Sequence, residues 1–270
     1  MNNVHYKEFG EGVPIYFIHG NGLSLESMIY FYEGLFDTKS RFNRVYLDIP
    51  GMGESRINRG TKNSDDVLLE LKYFIDRHSK GQPIILCGHS YGGYLCLGLA
   101  RIFLNQVSGF FLTCPVVKAR KKERDLAQHK NIFEEKVEPV CNQEFFSDFL
   151  NMNVCIKEQT WFDYQQSILP GVKKGINEFW EHIEDDDYAF SFENTLFNDI
   201  SEVNGTTLLG KFDQIVGFAD QEQLMTDKVH KKNKEVFILD EAGHNLPIDV
   251  KDELNMHFLK FIRNVTNDFK

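Results

Sequence analysis

A run without charge, Pro83-Ile84-Ile85-Leu86-Cys87, passes directly into Gly88-His89-Ser90-Tyr91-Gly92-Gly93, and Tyr91 to Asn105 then repeats apolar residues at helical period. Few architectures accept that junction. A short uncharged run reads as a strand buried on both faces, which calls for parallel neighbours and helices over the sheet. The turn from strand to helix must be sharp, and glycines two before and two after Ser90 remove the side chains that would collide there. The rest of the chain continues the alternation. Val13 to Ile18, Val45 to Asp48, Val107 to Thr113, Thr206 to Leu209 and Glu235 to Leu239 read as further strands. Asn63 to His78 sets Val67, Leu68, Leu71, Phe74 and Ile75 at helical spacing, and Pro247 to Asn264 does so with Leu254, Phe258, Leu259 and Ile262. The pattern predicts an α/β fold with a mostly parallel central sheet flanked by helices.

The strand rhythm lapses from about Val116 to Ile200. That segment is charged, aromatic and helix-like, and it holds both tryptophans, Trp161 and Trp180. The simplest organisation is one α/β core domain made of residues 1–115 and 201–270, interrupted by a helical cap at 116–200. The 270 residues and hydrophobic fraction of 42% suffice for one sizeable core. A net charge of -10 repels phosphate backbones and anionic membranes, so neither nucleic acid nor a membrane is expected as a partner. Lys118, Arg120, Lys121, Lys122 and Arg124 are diluted by Glu123 and Asp125, and they read as a solvated helix face. Cys87, Cys96, Cys114, Cys141 and Cys155 form no C-x-x-C pair, which suits free thiols in a reducing cytoplasm. Met1 to Tyr6 has no signal-peptide character, and no stretch is apolar for long enough to span a membrane.

The junction also carries chemistry. G-H-S-Y-G matches G-x-S-x-G, a turn that exposes a serine hydroxyl at the head of a helix. Unpaired N–H groups at that helix start face any negative charge that develops nearby. A serine hydroxyl is a poor nucleophile until a neighbour takes its proton. Of the nine histidines, only His244 follows a late strand, in Asp240-Glu241-Ala242-Gly243-His244-Asn245, where open α/β sheets gather their sites. Asp213 lies just past the Thr206 to Leu209 strand, and the chain order Ser90, Asp213, His244 suits a nucleophile, an orienting acid and a base. Asp220 is the competing acid, at a helix start that favours a capping role. His19-Gly20-Asn21-Gly22 follows the first clear strand, so the N–H of Asn21, or of Gly22, can join that of Tyr91 in an oxyanion hole.

With these residues on the page, the chain resembles the α/β-hydrolase superfamily, in its serine hydrolase branch with a helical cap. The resemblance rests on His19-Gly20, Asp48-Ile49-Pro50-Gly51-Met52-Gly53-Glu54-Ser55, the turn at Ser90, Gly210-Lys211-Phe212-Asp213 and Gly243-His244. In such proteins the D-x-P-G-x-G-x-S segment is usually structural, so Asp48 and Ser55 are given no chemistry. Epoxide hydrolases and haloalkane dehalogenases of similar build place aspartate where Ser90 stands, which argues against both. The candidate triad and the aromatic cap together predict hydrolysis of a small, largely apolar ester through an acyl-enzyme; that chemistry requires no cofactor, and the histidines lack the spacing of a metal site. A peptidase of N-terminal residues, a carbon–carbon bond hydrolase and a low-turnover binding protein share the scaffold. The cap aromatics Phe133, Phe145, Phe146, Phe149, Trp161, Phe162, Phe179 and Trp180 are candidates to wall the pocket, with Trp161 and Phe162 taken as substrate-binding. The acidic run Glu184 to Asp187 reads as a solvated loop, or as a receiver for a cationic group.

Overall fold

The computed structural model describes residues 4–226 and 234–267. Its large sheet has the order β1-β3-β2-β4-β5-β8-β9. These strands are β1 (Tyr6–Phe9), β2 (Val13–Ile18), β3 (Phe42–Leu47), β4 (Ile84–His89), β5 (Val107–Thr113), β8 (Gly205–Gly210) and β9 (Lys234–Leu239). Only the edge pair β1–β3 is antiparallel; the pairings from β3 through β9 are parallel. β4 and β8 are buried at every position, as their lack of charge predicts. β1 was not legible in the sequence. Its Tyr-Lys-Glu-Phe run is exposed throughout and becomes a strand only by pairing with β3. β3 begins at Phe42 rather than Val45 because the charge of Arg44 is met: its Nη2 lies 2.6 Å from Glu33 Oε1.

The chain runs from β2 to β3 at one edge, then returns to β4 and proceeds to the other edge. Strand order therefore reverses between β2 and β4, and a crevice opens at their carboxyl ends. Helices α1 (Leu25–Tyr32), α2 (Ser64–Ser79) and α3 (Tyr91–Ile102) belong to this half. Asn63 caps α2 by accepting the Asp66 N–H at 3.0 Å.

Residues 116–200 contain less helix than their composition predicts. Short helices α4 (Phe146–Met152), α5 (Glu158–Ser167), α6 (Leu169–Lys174), α7 (Glu178–His182), α8 (Asp185–Tyr188) and α9 (Leu196–Asp199) are joined by turns. A two-residue parallel pair, β6 (Ile132–Phe133) with β7 (Cys155–Ile156), ties the segment to itself. Lys118 to Arg124 is not a helix face but a loop with one 3-10 turn at Lys121–Glu123. The D-x-P-G-x-G-x-S turn clamps this segment to the sheet. Trp180 Nε1 donates to Pro50 O at 2.8 Å, and the Asn177 N–H donates to Gly51 O at 3.1 Å. A Cβ on Gly51 would stand 2.8 Å from Trp180 Nε1, so the ring needs a glycine beneath it.

After α10 (Ala219–Thr226) and β9, the C-terminal helical stretch breaks into α11 (Leu246–Asp249) and α12 (Lys251–Asn267). The sequence pattern predicts one helix there. Val250, at φ -134 and ψ 53, interrupts it just where Asp249 turns inward. No helix among the described residues is long and apolar enough to cross a membrane.

Candidate active site

Ser90 sits between β4 and α3 at φ 54 and ψ -120, a backbone conformation unfavourable for any residue with a Cβ. The surroundings impose it. Ser90 N–H donates to Thr113 O at 3.0 Å, and Ser90 O accepts from Val116 N–H at 3.1 Å. A Cβ on Gly88 would lie 2.6 Å from Gly92 O, and one on Gly92 would lie 2.2 Å from Ile18 O. Both glycines are therefore required by contact, and the elbow is packed rigidly against β2.

Three loops converge at this point. His244 Nε2 is 2.9 Å from Ser90 Oγ, and His244 Nδ1 is 2.8 Å from Asp213 Oδ2. The other Asp213 oxygen accepts the N–H groups of Ile215 at 2.8 Å and Val216 at 2.9 Å. Relative exposures of 7% for Ser90, 5% for His244 and 0% for Asp213 leave only the hydroxyl and imidazole open to a guest. Burial pushes the Asp213 carboxyl up, but the His244 imidazole and the two N–H groups outweigh it and hold the carboxyl below its ordinary range. An ionised Asp213 accepts only, so Nδ1 carries the imidazole proton and the Nε2 lone pair faces the hydroxyl. Asp220 is remote from this series: it pairs with Lys118 at 2.6 Å and accepts the Asp125 N–H at 2.9 Å.

The His19–Gly20 loop closes the other side. His19 Nε2 accepts the Ile49 N–H at 3.0 Å, so Nδ1 is the protonated nitrogen and donates to Gly20 O at 2.7 Å. A Cβ on Gly20 would come within 3.1 Å of Ser90 Cβ, which shows how closely the loop rests on the elbow. Asn21 borders the space above Ser90 on both sides, whereas Gly22 borders one. Tyr91 is the first residue of α3, so its N–H has no intrahelical acceptor. Asp48 is fully buried, accepts the N–H groups of Leu25 at 2.8 Å and Glu54 at 3.0 Å, and serves the turn. His89 is held neutral: burial, then the nearby His244, lowers it to about 3, and its Nδ1 lies 3.0 Å from Thr113 Oγ1.

Sequence reasoning missed Asp249. This buried carboxylate accepts the Gly243 N–H at 2.9 Å with one oxygen. Its other oxygen takes the N–H of Val154 at 3.0 Å, that of Cys155 at 3.1 Å and Asn153 Nδ2 at 3.2 Å. Asn245 Nδ2 donates to Asn153 Oδ1 at 2.9 Å. The residues on both sides of His244 are thus tied to the segment that carries β7. Burial pushes the Asp249 carboxyl up to about 7, against four N–H donors that favour its charge. Its signal in the sequence is faint: one acid inside the apolar run Leu246-Pro247-Ile248-Asp249-Val250.

Two cavities meet at Ser90 and His244, of about 330 and 190 Å³. The smaller is walled by Leu23, Met152, Ile168 and Val172, with Asp148. The larger is walled by Val116, Trp180, Ile183 and Tyr188, with Lys121, Arg124, Glu181 and Asp185 among them. Trp161 and Phe162, expected to bind substrate, border neither. Trp161 stacks on Tyr164 at 5.6 Å and lies 5.2 Å from Phe149, in an aromatic group continuous with the main core. Phe162, next along α5, faces solvent and is 51% exposed. Adjacent residues on a helix point about 100° apart, and here that turns Trp161 inward and Phe162 outward. Of the cap aromatics considered, Trp180 alone reaches the space above Ser90.

Cys114, Asp213 and His244 bring potential metal donors within 4.8 Å of one another. The chemistry is poor for an ion. Burial holds the Cys114 thiol protonated, and both Asp213 oxygens are already hydrogen-bonded.

The sequence profile of the alpha/beta hydrolase family matches residues 15–255. The chain belongs to the alpha/beta hydrolase family. Its fold is similar to that of an alpha/beta superfamily hydrolase from Oenococcus oeni, with TM-score 0.92 and 38% identity over 98% of this chain and 97% of that one. In sequence the chain is 24% identical, over 93% of its length, to the dihydrolipoyllysine-residue acetyltransferase component of an acetoin cleaving system from Pseudomonas putida. It is also 30% identical, over 36% of its length, to the (E)-2-((N-methylformamido)methylene)succinate hydrolase of Acinetobacter baylyi. The alignments span 64% and 35% of those two relatives.

Proposed function

We propose that this α/β hydrolase is a serine esterase for small-molecule esters, working through an acyl-enzyme on Ser90. The observation that carries this is the series Ser90 Oγ, His244, Asp213, with contacts of 2.9 and 2.8 Å, mounted on a strained elbow. His244 takes the hydroxyl proton as Ser90 attacks the carbonyl carbon. Asp213 keeps the imidazole in the required tautomer and stabilises it once protonated. The N–H groups of Asn21 and Tyr91 hold the tetrahedral oxyanion, each worth roughly 3 kcal/mol in the transition state. His244 then protonates the leaving group, and water releases the acyl group by the same route.

A second reading has support in the site. Glu181 and Asp185 border the larger cavity, which favours hydrolysis of an amide next to a cationic amine. Both readings use Ser90. The test is labelling with a fluorophosphonate probe together with turnover of p-nitrophenyl butyrate. Wild type labels at Ser90 and turns over; Ser90→Ala does neither. Full hydrolysis by purified Ser90→Ala ends the proposal; labelling with turnover of an amino-terminal amide but of no ester favours the second reading, and labelling with turnover of neither leaves the fold in a binding role.

A further inference from the structure

The two cavities at Ser90 differ in kind. The smaller is mostly apolar, and its carboxylate, Asp148, is engaged by the Tyr164 hydroxyl. The larger carries formal charges of both signs, and the two signs are held differently. Arg124 is partly buried and pinned: Nε donates to Lys118 O at 2.9 Å, Nη1 to Ile215 O at 3.0 Å and Nη2 to Ala119 O at 2.8 Å. A guanidinium has five N–H groups, so these three bonds leave two without a protein acceptor among the described residues, on a side chain that borders the cavity. Carbonyl oxygens fix the plane without cancelling the charge. The neighbouring Lys118 and Arg120 are neutralised by Asp220 and Asp186, each at 2.6 Å. Arg124 and Lys121 have no carboxylate partner among the described residues. The Arg124 field reaches the lobe, since it acts on the Tyr188 phenol against the upward push of burial.

The acids are not prepared in the same way. Glu181 is exposed, and neither it nor Asp185 is held by a side-chain hydrogen bond among the described residues. Each would lose rotamer freedom on gripping a cation, whereas Arg124 has already lost it on folding.

We infer that the larger cavity is an anion subsite in which Arg124, helped by Lys121, receives a carboxylate on one side of the scissile bond, so that the substrates are acidic esters with an apolar group for the smaller cavity. This rests on Ser90 being the nucleophile, and deepens that reading by naming the substrate class. A carboxylate is favoured because a planar guanidinium with two free N–H groups matches it in geometry as well as charge.

Two matched sets of esters test it. The first varies the acyl group: p-nitrophenyl pentanoate, the p-nitrophenyl hemiester of glutaric acid and p-nitrophenyl 5-aminopentanoate. The second varies the leaving group: phenyl butyrate with a para carboxylate, carboxamide or aminomethyl group. In at least one set the carboxylate member should exceed its neutral partner in kcat/KM by about 10-fold or more, the scale of a charge-assisted pair. Arg124→Gln should bring that ratio close to one, Arg124→Lys should keep part of it, and Lys121→Gln should lower it less. Each ratio is taken within one variant, so a loss of folded protein cancels. Equal rates in wild type, a ratio unmoved by Arg124→Gln, or preference for the amine overturns the inference. If wild type hydrolyses no ester at all, the esterase reading has failed separately. The subsite is then read by glutarate, which should raise the melting temperature of wild type but not of Arg124→Gln; no shift in either overturns it.

Discussion

The floor of the site and its roof are built on opposite principles. On the floor, the side chains of the Ser90, His244 and Asp213 series and the residues around them are held by buried contacts. Gly88 and Gly92 have no room for a Cβ, Asp213 has hydrogen bonds to both oxygens, and His19 has partners at both ring nitrogens. Above it, the segment 116–200 sets apolar Met152, Ile168 and Val172 over one side of Ser90 and charged Lys121, Arg124, Glu181 and Asp185 over the other, a roof with several half-exposed groups. The difference teaches a division of labour. Proton transfer needs atoms placed to fractions of an ångström, which close packing supplies. Selection among substrates needs charge and shape that can change without disturbing that placement. Asp249 is the seam, because one carboxylate binds Gly243 of the floor and Val154 and Cys155 of the roof.

Changes to the floor should be the most damaging. Asp213→Asn keeps the shape but offers an amide to Nδ1 and favours the wrong tautomer, so kcat should fall by about 10,000-fold with KM little altered. Steady-state kinetics on p-nitrophenyl butyrate check this, and a loss below tenfold would break the assignment of the floor. A break at the seam should cost less. Asp249→Asn places an N–H₂ group among N–H donors and frees the His244 loop, for a loss of about 100-fold in kcat. Asp249→Glu, which keeps the acceptor oxygens, should recover part of it. A purely structural role would lower the melting temperature and leave kcat per folded molecule unchanged.

The roof should respond in stability first. Trp161→Ala opens a cavity among Phe146, Phe149 and Tyr164 and should cost about 3–5 kcal/mol in chemical denaturation, whereas the exposed Phe162→Ala should stay within about 0.5 kcal/mol. If Phe162→Ala changed kcat/KM for small esters by more than Trp180→Ala does, the roof as described would be wrong. The smallest effect is the pH dependence of stability. The folded Asp213 carboxyl titrates below its ordinary value, so its contribution is present above the unfolded pKa of about 3.9 and is lost as pH falls through the lower, folded value. The stability gap between wild type and Asp213→Asn should therefore be widest near neutrality and close on acidification below pH ~4. A gap that grew toward acid would reverse the sign and contradict the hydrogen-bonded series.

Legibility followed the same division. Val107 to Thr113 matches β5 residue for residue, and Ser90, Asp213 and His244 could be singled out because each follows a strand whose apolar run announces it. β1 could not be read, since half of its residues are charged and its pairing with β3 is a long-range event. Lys118 to Arg124 reads as a solvated helix face in sequence. Lys121 is indeed exposed, but the chain makes a single 3-10 turn there, which leaves Arg124 half-buried, and no local period announces that. Trp161 and Trp180 look alike in sequence. What separates them is that Pro50 O, far along the chain, holds the Trp180 indole beneath the roof.

From sequence alone came the fold class, the elbow and the order of its partners, because strand burial, turn sterics and chain order are local or one-dimensional properties. The tertiary structure decided which cap aromatic faces Ser90, that Asp249 joins two segments, and that a guanidinium pinned by carbonyls borders the larger cavity. Those depend on contacts between residues many positions apart, whose partners follow no period, so no pattern along the chain could announce them.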